Sequence, residues 1–565
     1  MSVLLSLGIL VSPVYAQTSL KIIDATNQKP LNQVMVTLTT QEPNLTRFSN
    51  SSGLVSFPEA KPSDQFRIRL LGYKDQTTNE KAIQLQPETD PVQLAMQLPA
   101  NVWLGNLNLG SAETFTHFKM QCAFCHQQGN VFTRIPRTAE NWTPIIKRMV
   151  RYGSRLPSEY QKSLPELLEK EWTRLSQNPP KMPPVKDYGL NLSKVKVTDW
   201  KIGDAYSQTH DILFTKGVLY VADNIQDRFY VVNPETNQIQ GFDVPHREGE
   251  KNGGLIAGRL KDFPKHNSTS NLHSLAESQV DGHIFFTPSA QRRIIEFDPK
   301  TKGFTLHEMD DGFYPHTIRL DSSDRVWFTL ALSNQIGMMD RKNGNKFTLY
   351  DLPTRSFKEK MTNRLMPYLF KLMSWGLPIS NWVNVDKQAS GTPLPYGIDI
   401  TPDQKVWFAR LHTQEIGRID PQSGEIKLYK TPFMGPRRLR TDSRGHLWIT
   451  SYGESKIGRF DPKTEKFDVF DLPVYPLGSE TPYALNVDRK NDIVWVTGNQ
   501  SDSLYGLDIR TQKWMTVPLT RRTTFTRDIE FDEKGNLYTA NSNFPAWHVE
   551  GGGPTTFKVE IENAR

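Results

Sequence analysis

Apolar and polar positions follow three successive rhythms along the chain. After residue 17 the stretch "SLKIIDATNQKPLNQVMVTL" alternates with period two around a turn at Asn27-Gln28-Lys29-Pro30. The alternation returns in Ser52–Phe57 and Arg67–Tyr73. Several short strands packed this closely predict a small β-sandwich over residues 17–99. From residue 110 the period becomes helical. "SAETFTHFKMQCAFCH" opens on a capping-type serine, and "TAENWTPIIKRMVRYG" sets Trp142, Ile145, Ile146 and Met149 on one stripe before a stop at Gly153. "PSEYQKSLPELLEKEWTRL" supplies a third amphipathic helix ahead of the proline-rich "NPPKMPP". A small α-helical domain over 110–186 follows.

The third rhythm is a repeat of 40-odd residues. An aromatic strand recurs as "VLYVAD" (218–223), "HIFFTP" (283–288), "RVWFTL" (325–330), "KVWFAR" (405–410), "HLWITS" (446–451), "IVWVTG" (493–498) and "NLYTAN" (536–541). Most copies lead to a second strand ending at an Asp or Asn turn: Asn233, Asp298, Asp340, Asp420, Asp461 and Asp508. Seven copies of a multi-strand unit predict a seven-bladed β-propeller over 194–562, making the protein mainly β. The last copy lacks a fourth strand, whereas "KVKVTDWKIG" (194–203) is an orphan strand ahead of the first. Pairing the two would close the ring and leave no open edge. Insertions at 246–270 and 355–393 break the period. The second mixes basic and large apolar residues and is expected to pack against the propeller, with a lid or an interfacial helix pair as the alternatives.

The extreme N-terminus departs from these rhythms. Val3–Val11 is a short apolar run without preceding positive charge, and Val14-Tyr15-Ala16 sets small residues before Gln17. This predicts a signal peptide over 1–16, and hence export to the periplasm or beyond. No stretch reaches the length of a spanning helix. The formal charge is +7 and the isoelectric point about 9.0. Basic residues are dispersed and no groove-reading motif accompanies them, so an acidic partner protein or a small anionic ligand is expected, not nucleic acid.

Both cysteines of the chain fall in "KMQCAFCHQQGN". Cys122-Ala123-Phe124-Cys125-His126 has the C-x-x-C-H form of covalent haem c attachment, in which the thiols take the two vinyl groups and the histidine ligates the iron. A zinc ribbon would need a second cysteine pair, a thioredoxin-type dithiol a βαβ setting, and a disulfide across two residues would be strained. The haem iron therefore has His126 as one ligand. Met149, Met182 and His117 are candidates for the other; the helix order resembles class I cytochromes c, which implies Met149 ahead of Met182.

Alignment of the seven copies on their aromatic exposes a second pattern. Ten to twelve residues upstream stand His210, His273, His316, Tyr396, Arg437, Tyr483 and Arg527, at the start of each innermost strand. They are expected to converge at one mouth of the central channel as a hydrogen-bonding, cationic ligand site. Three histidines on consecutive blades could also hold a second metal such as zinc, copper or iron.

Two resemblances bear on these readings. Residues 18–98, with their Asn-Ser-Ser-Gly turn leading into an apolar strand, resemble carboxypeptidase-regulatory-like, transthyretin-type modules, which implies spacing or adhesion. "LPYGIDITPDQKVWFARLHTQEIGRIDPQSGEIKLYKTP" (394–432), with 313–353 and 436–473, resembles the repeat of the virginiamycin B (streptogramin) lyase family. That resemblance implies a propeller, opening of a cyclic ester by elimination, and a catalytic histidine, here His316 in Pro315-His316-Thr317-Ile318. It also implies glutamates that hold magnesium, but Leu330, Arg410, Ser451 and Gly498 stand at those positions. Glu480, before Thr481-Pro482-Tyr483, is the carboxylate nearest that pattern. The expectation is an exported, haem-dependent electron-transfer protein, a module of a periplasmic oxidoreductase. A lyase with an accessory haem and an extracellular binding or scaffold protein are the alternatives.

Overall fold

A computed structural model describes residues 18–184, 187–259, 268–375, 377 and 392–562. The signal-peptide reading over 1–16 and parts of both insertions lie outside the described residues. Seven four-stranded antiparallel sheets run through 195–561 as the blades of a propeller. Blades 1 to 6 span 209–243, 272–308, 315–351, 395–430, 436–471 and 485–518. Blade 7 takes Thr526–Phe531, Leu537–Asn541 and Thr555–Ile561 from the C-terminal end and Val195–Lys201 from before blade 1. Thr555–Ile561 pairs with Val195–Lys201 over its full length, so the ring closes as the orphan strand suggested.

The recurring aromatic earns its place between blades. Trp327, Trp407, Trp448 and Trp495 are fully buried, each in a cluster with residues of the following blade. Each removes roughly 200 Å² from water, worth about 5 kcal/mol before the cost of ordering the chain. Two of the indoles also have their N–H satisfied: Trp327 Nε1 donates to Asp321 at 2.9 Å and Trp448 Nε1 to Asp442 at 3.0 Å.

The N-terminal segment forms two sheets around one core. Leu54–Phe57, Thr18–Asp24 and Ala82–Leu85 make the first; Asn44–Phe48, Met35–Leu38, Phe66–Arg69 and Gln76–Thr78 make the second. Leu20, Ile22, Val36, Phe57, Phe66 and Ile68 fill the space between them. The second sheet does not stop at its own edge. Asn44–Phe48 pairs with Val195–Lys201, so the N-terminal sheet and blade 7 are one continuous sheet of eight strands. The closing strand is thus paired on both sides.

Helices begin earlier than the change of rhythm at residue 110. α1 (Pro91–Gln97) is capped by Asp90 and α2 (Ala100–Gly105) follows, so the end of the 17–99 segment is helical. α3 (Ala112–Cys122) starts on the Ser111 cap, α4 (Ala139–Arg151) on the Thr138 cap, and α5 (Ser158–Gln177) completes the set. Trp103, Phe118, Trp142, Ile146, Leu164 and Trp172 form their shared core. α6 (Phe357–Ser374) belongs to the second insertion. Among the described residues no helix is long and apolar enough to cross a membrane.

Candidate functional site at the propeller mouth

The ring residues owe their direction to a local irregularity. The pairing of the innermost strand with the second shifts register at His273, His316, Tyr396, Arg437 and Arg527, and blade 1 shifts around His210. A bulge re-aims the extra residue, and here the same bulge repeats from blade to blade. All seven side chains converge. The His210 and His273 rings are 4.4 Å apart, His273 and His316 4.7 Å, and His316 and Tyr396 3.9 Å, centre to centre. Tyr396 and Tyr483 share a hydroxyl–hydroxyl bond of 2.5 Å. Arg437 donates to Tyr396 at 2.9 Å, and Arg527 donates to Tyr483 and to His210 Nε2, both at 3.1 Å.

These groups lie buried in the mouth, and burial sets their charge. Burial holds the three imidazoles below their ordinary titration range; Arg527 adds repulsion at His210, and neighbouring histidines do so at His273 and His316. They are therefore neutral at pH 7. Behind the ring, Arg438 donates to Asp211 at 2.6 Å, with both side chains buried. Asp211 in turn accepts from His210 Nδ1 at 2.9 Å.

The C-x-x-C-H segment seats directly on this mouth. Lys119 Nζ donates to the Gly478 carbonyl at 2.6 Å. Gln127 donates from its backbone to Asn543 at 3.0 Å and from its side chain to Asn499 O and Asp502. The Gln128 backbone donates to Gln500 at 2.8 Å, and Tyr452 donates to the Ala123 carbonyl. Phe124 lies 4.3 Å beneath the Arg437 guanidinium. A cavity of about 530 Å³ opens between helices and propeller, and Cys122, Cys125, His126, His210, His273 and His316 all line it. The sequence placed the thiols and the ring in separate domains; the fold brings both to the lining of one chamber.

Of the ligand candidates, Met149 lines the chamber, whereas Met182 is 44% exposed beside Gly72 of the N-terminal sheets. Met182 is therefore not brought to the haem motif. His117 is buried against Tyr160 outside the chamber lining. α6 lines part of the chamber with Thr362, Met366, Leu369 and Phe370. Glu480 does not line the chamber. It accepts from the backbone of Thr481 and Gln500, the latter being the clamp on Gln128.

The residues present fit a covalently held haem. Both cysteines are unpaired and face the chamber. His126 Nδ1 lies 3.1 Å from the Gln127 carbonyl and 3.2 Å from the Gln128 side-chain amide, which hold the ring from that side and leave Nε2 as the ligand atom.

Sequence reading missed a second ring. Five residues past the aromatic of each copy stand Ile225, Ala290, Leu332, His412, Gly453, Gln500 and Asn543. Ile225, Leu332 and His412 line the chamber, Gly453 lies against Met120 of α3, and Gln500 and Asn543 hold the Gln127–Gln128 turn. The alignment that found the first ring contains this one. It goes unnoticed because its members share no chemistry, being chosen to fit what docks on each blade.

The comparisons with known proteins address the propeller. Residues 381–546 match the model of the virginiamycin B lyase family. Among solved structures, a streptogramin B lyase is 17% identical, with a TM-score of 0.50, over 67% of this chain and 100% of that one. The virginiamycin B lyase of Staphylococcus aureus is likewise 17% identical, with a TM-score of 0.48, over 65% of this chain and 100% of that one. No curated protein matches the chain. The 195–561 region is thus a virginiamycin B lyase-like β-propeller.

Glu480 provides a test of the clamp. Burial pushes its carboxyl up from 4.5 to about 7, against the pull of its two backbone donors. A raised folded-state pKa means that the native state holds the proton longer than the unfolded chain. Stability then falls as pH rises between about 4.5 and 7, and the full loss is roughly 3 kcal/mol. Glu480→Gln keeps an acceptor oxygen and removes the titration. Urea midpoints should match wild type at pH 5 and exceed it at pH 8; equal midpoints at both would refute the assignment.

Proposed function

We propose that this chain is an exported c-type haem protein that passes electrons between a redox partner and a small ligand held at the propeller mouth. The observation that carries the reading is the shared chamber, lined by Cys122, Cys125 and His126 together with His210, His273, His316, Tyr396 and Arg527 of the ring. Cys122 and Cys125 hold the group covalently, and His126 offers Nε2 to the iron. Met149 is the foremost candidate for the second position, and His412, which also lines the chamber, is the alternative that only the fold reveals. A bound haem supplies one-electron transfer; the surrounding residues decide what comes near it.

The chain's own groups suit a small polar or anionic ligand. Arg527 reaches the Cys125 carbonyl at 3.4 Å as well as His210 and Tyr483, so one guanidinium joins the haem loop to the ring. Buried among aromatic rings and neutral imidazoles, its charge is only weakly screened. The Arg527 side of the mouth therefore suits an anion or a hydrogen-bond acceptor. The basic net charge favours an acidic redox partner, and the signal-peptide reading places the protein outside the cytoplasm.

The lyase chemistry that the family resemblance implies is not adopted. Leu330, Arg410, Ser451 and Gly498 are all buried where that resemblance puts glutamates, and Arg410 is paired with Glu415 at 2.8 Å. Function resides in the site and not in the propeller.

The test is expression of the full chain in a host that matures c-type cytochromes. Haem should stay with the polypeptide through acid–acetone extraction, at one per chain, and should be reversibly reducible. A colourless chain from a host that matures a control cytochrome would end the reading.

A further inference from the structure

We infer that His210, His273 and His316 form a binding site for a first-row transition ion of the kind imidazole favours, copper or zinc. The site is independent of haem attachment. Its geometry comes from three consecutive blades, each presenting its histidine from the same bulge. One ligand nitrogen of each lies within 4.8 Å of the others, and all three side chains are buried.

What distinguishes this cluster from three polar residues in a wet channel is the far side of each ring. His210 Nδ1 donates to the Asp211 carboxylate at 2.9 Å. His273 Nδ1 meets the Ser289 hydroxyl at 2.7 Å, the Asn224 amide at 2.8 Å and the Asn271 carbonyl at 3.0 Å, and His316 Nδ1 pairs with the Thr317 hydroxyl at 3.0 Å. Metal-ligating histidines are held in this way, through an outer acceptor that fixes tautomer and ring orientation and leaves Nε2 toward the ion. Outer partners on three blades thus hold the three rings in place, and at His210 the carboxylate makes Nδ1 the donor. Among the described residues no hydrogen bond is seen at His316 Nε2, and His273 Nε2 meets Tyr314 and Asn224 at 3.4 and 3.5 Å.

The donor set selects the ion. Three nitrogens with no carboxylate among them exclude the oxygen-seeking calcium and magnesium ions and suit zinc or copper. Binding at about 2.1 Å would draw the nitrogens to about 3.4 Å apart, within reach of small ring rotations. Arg527 is the opposing element. Its Nη1 sits 3.1 Å from His210 Nε2, so the guanidinium must withdraw toward Tyr483 and the Cys125 carbonyl when an ion enters. Asp211, between His210 and Arg438, supplies the compensating negative charge. Three protein ligands leave a position open to the chamber, as in metal sites that act on a bound molecule.

The experiment uses the full chain after chelator treatment, titrated with Cu(II) alone and Zn(II) alone, with copper, zinc and iron counted separately by mass spectrometry. Iron reports haem, so failure of the haem reading and failure of this one are distinct. One copper or zinc per chain is expected at micromolar concentration. His273→Ala and His316→Ala should each weaken binding at least tenfold. On the unmutated protein, the Cu(II) electron paramagnetic resonance spectrum should carry hyperfine structure from several imidazole nitrogens, a readout that needs no variant to fold. Absence of stoichiometric binding, unchanged affinity in both variants, or a spectrum without nitrogen coupling would each overturn the site.

Discussion

Replacing Cys122 and Cys125 together by serine should abolish covalent haem, taking the amount retained after denaturation from one per chain to none. The geometry makes the effect all-or-none. The two thiols stand at the end of α3, where the helix stops at Cys122 and Ala123 takes the cap. No other cysteine exists to substitute. Serine is close in volume and cannot form the thioether, so the protein should still fold. Its clamps on the mouth, from Lys119, Gln127 and Gln128, do not involve sulfur. The check is a peroxidase stain for haem on a denaturing gel, read beside the circular dichroism of the same preparation. Retention of haem by the folded double variant would show that the cysteines are not the attachment points. Met182→Ala is the internal control, because Met182 is at the N-terminal sheets and should leave the absorption spectrum unchanged.

That local anchoring also shows what the sequence reveals and what it hides. The propeller was legible because its repeat is periodic in a strong signal, the buried Trp of the second strand, and the closing strand announced itself as an unpaired copy. The C-x-x-C-H motif stood out because the chemistry it suggests demands adjacent residues. The seven-residue ring was legible because the bulge recurs at nearly constant distance from that Trp. The meeting of motif and ring was hidden. It depends on Asn101, Gln127, Gln128 and Lys119 finding backbone and side-chain partners in the loop between blades 5 and 6 and on blades 6 and 7, more than 350 residues away in sequence. No local pattern encodes such pairings. The start of α1 was hidden for another reason: Pro91–Gln97 is too short for a helical stripe, and its signature is only the Asp90 cap followed by proline.

The continuous eight-stranded sheet was equally invisible, and it leads to the second large effect. Asp199→Ala should cost about 3–5 kcal/mol, the range for removing one partner of a buried ion pair. Asp199 lies in the closing strand Val195–Lys201, with the C-terminal strand on one side and the N-terminal sheet on the other. It is 1% exposed and accepts from Arg521 Nη2 at 2.6 Å and Nε at 3.2 Å. Thr520 donates to it at 3.0 Å and Asn44 at 3.3 Å. One carboxylate therefore joins blade 7, the loop after blade 6 and the N-terminal sheet. Alanine would leave the Arg521 guanidinium buried with a single carbonyl partner, that of Glu550 at 3.0 Å. Replacing Asp199 and Arg521 together by apolar residues of similar size should recover most of the loss, because the penalty is the unpaired charge and not the absence of the pair. Chemical denaturation of the two single variants and the double variant measures this directly. If the carboxylate fastens the three parts as described, the single variants should also expose the Val195–Lys201 strand to hydrogen exchange before the rest of blade 7. Uniform exchange across the blade, with a loss below about 1 kcal/mol, would place the strength of the closure in the strand ladder alone.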